Sequence, residues 1–268
     1  MSIKLLALDL DGTIVAHLQD LTPKTQAAIE AVTQRGIKVV IATGREIHST
    51  LPFHAQLKLD TPVICYQGAA TYDPQTGQTV TSIGIPLVQT YQIIDFTRSR
   101  NIALNLYIDD MGYTENITAE SKQLFEKTKA IHTLVNDLKQ VITRDPVKGL
   151  IVHPAEECES LVNQLRQSTN GNVKVVRSLD NLVELTSPAV SKGKALAAVA
   201  KRYGIAQNEV MAVGDQDNDI EMIEWAGLGI AMGNASPNAK AVADTIAPPI
   251  SEEGVIWAIE KFILNVDA

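Results

Sequence analysis

Asp9-Leu10-Asp11-Gly12-Thr13 follows directly on an apolar run at residues 3–8 and is the strongest chemical signal in the chain. Residues two apart in an extended strand face the same side, so the two carboxylates can converge on one volume of space. Close carboxylates repel, and together they imply a cation or a shared proton; hard oxygen donors of this kind suit Mg²⁺. Asp-Gly alone also makes an ordinary turn. An EF-hand is excluded because the Glu that closes such a loop is missing.

Three further segments carry possible chemistry. Ala42-Thr43-Gly44-Arg45 ends a second apolar run, where a hydroxyl and a glycine amide can both donate to a phosphate oxygen. Taken alone, Thr-Gly marks no more than a loop. Ser191-Lys192-Gly193-Lys194 starts a helical pattern, and the helix dipole disfavours a cation there unless an anion is near. The plain alternative is a solvated lysine pair. Gly214-Asp215-Gln216-Asp217-Asn218-Asp219 follows the apolar run at 210–213 and resembles a metal-binding loop, although Asp219 could serve only to cap the next helix.

The elements that must position these segments can be read from periodicity. Short runs of Val, Ile and Leu alternate with helical patterns, as buried parallel strands with crossover helices do. Strands are predicted at 3–8, 37–42 and 62–66, with a helix opened by Thr22-Pro23 and stopped by Gly36, a β-α-β-α-β run. The far end repeats the pattern: a helix capped by Ser191 and ended by Gly204, a strand at 210–213, a helix at 219–226, a strand at 229–232 and an amphipathic helix at 252–264. Asp9, Thr43 and Asp215 then each end a strand of one parallel sheet, where ligands of such sheets bind. The middle differs. Asp73-Pro74-Gln75-Thr76-Gly77 predicts a hairpin after the third strand, and runs at 104–108, 149–152, 173–176 and 182–185 predict a separate sheet with its own helices.

Composition narrows the function classes. The 268 residues are 45% hydrophobic and 20% charged, with a net charge of −8, so the chain folds on its own and offers no basic surface for nucleic acid or an anionic membrane. Aromatics at 4% disfavour a base-stacking platform. No apolar stretch is long enough to span a bilayer and none reads as a signal peptide, which makes the cytoplasm the expected location. Cys65 and Cys158 lack C-x-x-C or zinc-ligand spacing and read as small buried hydrophobes. What is left is an acidic protein acting on a small molecule.

The four segments, in order, resemble the motifs of the haloacid dehalogenase superfamily of phosphatases: Asp9-Leu10-Asp11-Gly12-Thr13, Thr43-Gly44-Arg45, Lys192-Gly193 and Gly214-Asp215-x-x-Asn218-Asp219. The resemblance covers nearly the whole chain. The middle segment and Ala231-Met232-Gly233-Asn234-Ala235 resemble the Cof-type subfamily, which acts as a sugar-phosphatase-like group. The fold class implied is α/β: a Rossmann-like parallel-sheet core from residues 1–83 and 188–268, with a mixed α/β cap inserted at 84–187. One departure is Gln67 in Tyr66-Gln67-Gly68-Ala69, where Asn is usual before Gly-Ala.

The family positions imply Asp9 as the nucleophile and Asp11 as the acid and base. They imply Mg²⁺ held by Asp9, the Asp11 carbonyl and Asp215, and phosphate bound by Thr43, the Gly44 amide, Lys192 and Asn218, with a backbone contact from Leu10. The residue chemistry agrees, since a phosphate ester already carries negative charge and needs both neutralisation and an in-line nucleophile. The expected substrate is a small phosphorylated metabolite, in particular a sugar phosphate. A phosphomutase is the nearest alternative, and a receiver-like module that stores phosphate on an aspartate is an alternative of another class. A dinucleotide-binding protein is disfavoured because the first strand-to-helix turn lacks G-x-G-x-x-G.

Other polar residues are expected to serve packing or the surface. His17, His48, His54, His132 and His153 are scattered without ligand spacing. Arg45 could reach a substrate or form a surface ion pair at a helix start, Glu156 and Glu157 suit a first helical turn, and Asp109-Asp110 could line a surface of the cap, though a turn suits it at least as well.

Overall fold

The computed structural model describes residues 2–16, 21–128 and 131–265, so His17 lies outside the described residues. The chain begins with β1 (Leu5–Leu8), α1 (Pro23–Gln34), β2 (Lys38–Ile41), α2 (Ile47–Gln56), β3 (Val63–Cys65), β4 (Ala70–Asp73) and β5 (Gln78–Ser82). Next come α3 (Leu87–Arg98), β6 (Asn105–Ile108), β7 (Met111–Thr114), α4 (Ala119–Thr128), β8 (His132–Leu134), α5 (Leu138–Val141), β9 (Lys148–Val152), α6 (Cys158–Ser168), β10 (Lys174–Leu179) and β11 (Leu182–Thr186). It closes with α7 (Lys192–Arg202), β12 (Val210–Gly214), α8 (Ile220–Trp225), β13 (Leu228–Ala231), α9 (Pro237–Val242), β14 (Thr245–Ile246) and α10 (Gly254–Ile259). Two compact units result: Met1–Thr81 with Ser191–Ala268, and Ser82–Val190.

The first unit is an α/β fold on a five-stranded parallel sheet in the order β14-β13-β12-β1-β2. Every residue of β1 and β12 is buried, as expected of strands covered on both faces. Register places Leu8 opposite both Ile41 and Val213, so β1 and β2 end level and β12 ends one residue beyond them. Helix α1 starts where Thr22 accepts from Thr25 N and Pro23 takes the first position, and Gly36 beyond its end has φ of +76°. Leu196, Val199 and Ala200 of α7 pack with Leu5, Ala7, Val210 and Ala212 in one apolar cluster, which docks the helix on the strands that end at the site.

Two expectations need correction. The strand at 62–66 is expected to extend the parallel sheet, but β3 meets that sheet through a single parallel bridge, from Ile64 to Ala42 just past β2. Its three residues pair antiparallel with β4 instead, because the chain turns back at Tyr66–Gly68. The helix expected at 252–264 is broken: a short 3₁₀ turn at Ile250–Glu252 precedes Glu253, whose φ of +60° stops it, and α10 passes into a wider π turn at Glu260–Leu264.

The second unit has a six-stranded sheet in the order β10-β11-β9-β6-β7-β8, antiparallel except for β7 with β8. Ile93 and Ile94 from α3 and Leu161, Val162 and Leu165 from α6 form a core with Leu106, Ile151, Val183 and Leu185 from one face of the sheet. Asp109 and Asp110, both at positive φ, make the two-residue turn between β6 and β7. Both cysteines are buried, Cys65 in the first unit and Cys158 in the second.

Helix α7 carries Lys192 at its first position, and its start depends on Ser191, which accepts from Lys194 N at 3.2 Å. Ser191→Ala should therefore lower stability by about 1 kcal/mol in urea denaturation, while Ser191→Asp retains the cap. Equal stability of the alanine variant would contradict the capping role.

Candidate active site

The first strand turns sharply once it leaves the sheet. The Leu10 carbonyl accepts from Ile14 N at 3.1 Å and Val15 N at 2.9 Å, and Gly12 N donates to the Val15 carbonyl. Gly12 has φ of +87°, and a β-carbon there would lie 2.3 Å from Asp215 Oδ2. Glycine is thus required both by the backbone and by how closely this turn meets the loop after β12. Asp9, one residue past β1, and Asp215, one past β12, are both buried.

Asp9, Asp215 and Asp219 offer carboxylate oxygens that all lie within 4.8 Å of one another. Lys192 enters this acidic group from the start of α7. Its fully buried Nζ donates to Asp9 Oδ1 at 2.6 Å and to Asp219 Oδ1 at 2.7 Å. The anion that a lysine at a helix start calls for is therefore a pair of protein carboxylates, and the solvated-lysine alternative does not hold.

Asp219 has a definite task. Its Oδ2 accepts from Asp215 N at 2.9 Å and Gln216 N at 3.0 Å, so it shapes the loop that presents Asp215. It also stands before α8 yet makes no side-chain cap to that helix. Asp215 Oδ1 accepts from Thr13 Oγ1 at 3.3 Å, and Oδ2 from Gln216 Nε2 at 3.0 Å and Asn234 Nδ2 at 3.5 Å. Asn234 also donates to the Gly12 carbonyl at 2.9 Å, while its Oδ1 accepts from Ile250 N. Thr13 and Asn234 lie within recognisable segments, but nothing in their spacing says that both support Asp215.

The second segment arrives alongside. Thr43 is buried, two residues past β2; its amide donates to the Ile64 carbonyl and its hydroxyl accepts from Arg45 N at 3.2 Å. Arg45 lies outside α2 and grips Asp11 with both prongs, Nε to Oδ2 at 2.7 Å and Nη2 to Oδ1 at 2.5 Å. Its guanidinium also lies over the Phe53 ring, 4.8 Å from the centroid. Asp11 thus has a cationic partner of its own. Asn218 Nδ2 donates to Gln67 Oε1 at 2.7 Å. Among the histidines, His54 is buried with Nε2 on the Thr61 carbonyl at 2.8 Å, and His132 stacks on Phe125, so both pack.

Burial and charge act together on this cluster. Burial pushes the Asp9 carboxyl well above the usual range; Lys192 opposes this, and Asp219 and Asp215 add to it. Asp215 is pushed up to about 6, first by burial and then by Asp219. Lys192 is pushed above its ordinary value: burial alone would lower it, and the two carboxylates more than compensate. A single ammonium therefore leaves negative charge in excess. The donors are hard oxygens, and Asp9 and Asp215 fit a small divalent cation, whereas Asp219 already spends both oxygens on Lys192 and backbone amides.

The match to known proteins agrees with this geometry. Residues 6–259 match the family of haloacid dehalogenase-like hydrolases, and the chain belongs to that family. It is 28% identical over 268 residues to the 5-amino-6-(5-phospho-D-ribitylamino)uracil phosphatase of Bacillus subtilis, covering 96% of this chain and 97% of that protein. It is 27% identical over 264 residues to the pyridoxal phosphate phosphatase of Escherichia coli, covering 92% and 93%. A crystal structure of a haloacid dehalogenase-like hydrolase from Bacteroides thetaiotaomicron superposes with a TM-score of 0.88 at 27% identity, over 98% of this chain and all of that one. Among the described residues, no helix is long and apolar enough to cross a membrane.

The raised Asp215 carboxyl fixes the sign of a cation effect. Stability conferred by its protonated form is present at low pH and is lost as pH rises through about 6. A divalent cation relieves the resulting repulsion, so saturating MgCl₂ should raise the melting temperature by about 5 °C near pH 7.5 and by much less near pH 5, in a thermal-shift titration. An equal shift at both pH values, or one retained in Asp215→Asn, would contradict the assignment.

Proposed function

We propose that the chain is a Mg²⁺-dependent phosphatase that hydrolyses small phosphorylated metabolites, in particular sugar phosphates, through an aspartyl-phosphate. The observation that carries the reading is Lys192 Nζ seated between Asp9 and Asp219 beside Asp215, where strands β1 and β12 end. The names of the two curated relatives, both phosphatases of small phosphorylated compounds, support the substrate class.

In this reading Lys192 and its cluster fix Asp9 by one oxygen and leave the carboxylate directed at an incoming phosphorus. Asp9 attacks, the phosphorus–oxygen ester bond breaks, and Asp11 gives its proton to the departing alcohol oxygen. Asp11 then takes a proton from water, the water oxygen bonds to phosphorus, and the bond to Asp9 breaks to release inorganic phosphate. Asp11 has to leave Arg45 to do this, since the guanidinium engages both of its oxygens. Thr43, the Gly44 amide, Lys192 and Asn218 bind the phosphoryl oxygens, with Leu10 as a backbone contact. Mg²⁺, held by Asp9, the Asp11 carbonyl and Asp215, supplies charge neutralisation when bound. Residues 1–83 and 188–268 form the catalytic core in this account, and 84–187 the inserted cap domain; the protein works in the cytoplasm.

A panel of phosphorylated metabolites assayed for phosphate release tests the proposal. With MgCl₂ at least one ester should turn over, chelator should stop it, and Asp9→Asn should lower kcat by about 10³-fold or more. Unchanged turnover in Asp9→Asn would refute the nucleophile. Transfer of labelled phosphate to a second hydroxyl in place of release would favour a phosphomutase.

A further inference from the structure

Three consecutive residues, Tyr66, Gln67 and Gly68, hold positive φ of +53°, +60° and +95°. Left-handed backbone is costly for tyrosine and glutamine and persists only where the surroundings over-determine it. Here contact with three separate site segments does so. Tyr66 N donates to the Arg45 carbonyl at 3.0 Å and Gln67 N to the Thr43 carbonyl at 3.1 Å. Gly68 lies so near the start of α7 that a β-carbon would come within 2.3 Å of the Ser191 carbonyl oxygen and 3.0 Å of Lys192 N. The Gln67 side chain reaches the remaining segment, its Oε1 accepting from Asn218 Nδ2 at 2.7 Å. Its Nε2 also lies over Gly44, 2.3 Å from where a β-carbon would stand.

One amide therefore joins the segment 43–45 to the loop 214–219, at the place where both offer donors for a phosphate. The far end of Asn218 does not hold its orientation, since the buried Oδ1 meets no hydrogen-bond partner among the described residues. The bond to Gln67 does. Asn218 Nδ2 carries two hydrogens, so engaging one on Gln67 gives the other a set direction.

We propose that Gln67 is a positioning residue for the phosphoryl end of the substrate, orienting the Asn218 amide and closing the space over Gly44. The proposal rests on the phosphatase reading above. Reach makes glutamine the fitting side chain: asparagine from the same backbone withdraws the amide by roughly 1.5 Å, the length of one carbon–carbon bond, and breaks the link to Asn218.

The test compares Gln67→Met, Gln67→Asn, Asn218→Ala and the Gln67→Met/Asn218→Ala double variant with the unaltered protein. Calorimetric affinity for inorganic phosphate in MgCl₂ is measured beside KM and kcat on the best ester. Gln67→Met should weaken phosphate binding and raise KM by about tenfold, with kcat within about twofold, because the contact is made equally in the ground and transition states. Gln67→Asn should not rescue it. On an Asn218→Ala background the methionine substitution should cost little further, as expected of two residues acting through one bond. Unchanged phosphate affinity in Gln67→Met, full affinity in Gln67→Asn, or losses that multiply in the double variant would each overturn the proposal. If the unaltered protein binds phosphate but hydrolyses no ester, the phosphatase reading fails and the affinity ratios alone decide the role of Gln67. If it binds no phosphate, both fail.

Discussion

A fully buried ammonium, Lys192 Nζ, bonded to Asp9 and Asp219 is the interaction on which the rest of this site depends. Removing charges from water is expensive, and a buried pair holds only where geometry and further hydrogen bonds satisfy each member. The fold supplies both. Strands β1 and β12 end side by side and bring Asp9 and Asp215 together, α7 delivers the lysine through a serine-capped first turn, and the amides of Asp215 and Gln216 take up the second oxygen of Asp219. Breaking one such partner leaves an uncompensated charge in the interior, so this cluster ties the two ends of the chain together as well as organising its chemistry.

The same cluster reconciles an acidic protein with an anionic substrate. A net charge of −8 disfavours extended contact with polyanions, but it says little about a crevice a few ångströms wide. There one lysine cannot neutralise three carboxylates, and their mutual repulsion adds to the burial that pushes Asp9 and Asp215 upward. In the proposed function a divalent cation and a row of backbone and side-chain donors are the local remedy, and both act at much shorter range than the overall charge.

Much of the α/β fold and the meeting of Asp9 with Asp215 was legible in the sequence because each rests on local patterns, whereas Asp11, expected to converge on Asp9, is engaged by Arg45 instead. Apolar runs ending in Asp9, Thr43 and Asp215 announce strand ends, and parallel sheets gather their strand ends along one edge. Ser191, Pro23 and Gly36 punctuate helices by their own backbone chemistry. What stayed hidden depends on pairing across the fold. Arg45 looks like any arginine at a loop until it grips Asp11, 34 residues away, and Asp219 reads equally as a helix cap until both of its oxygens prove to be engaged elsewhere. The short turn at Tyr66–Gly68, which ends β3 and sends Gln67 to Asn218, carries no glycine at two of its three positive-φ positions and so gives no local warning. The wide turn at Glu260–Leu264 is hidden too, since its amphipathic pattern fits an ordinary helix.

The central claim is that Asp9, held by Lys192, becomes transiently bonded to the phosphoryl group. Acyl phosphates are reduced by borohydride to the alcohol, whereas free carboxylates are not. The protein, mixed with a turned-over ester and MgCl₂ and quenched into borohydride, should yield homoserine at position 9 on peptide mass mapping, and nowhere else in the chain. Unmodified aspartate at position 9 under conditions of steady turnover, or reduction at another carboxylate, would contradict the account.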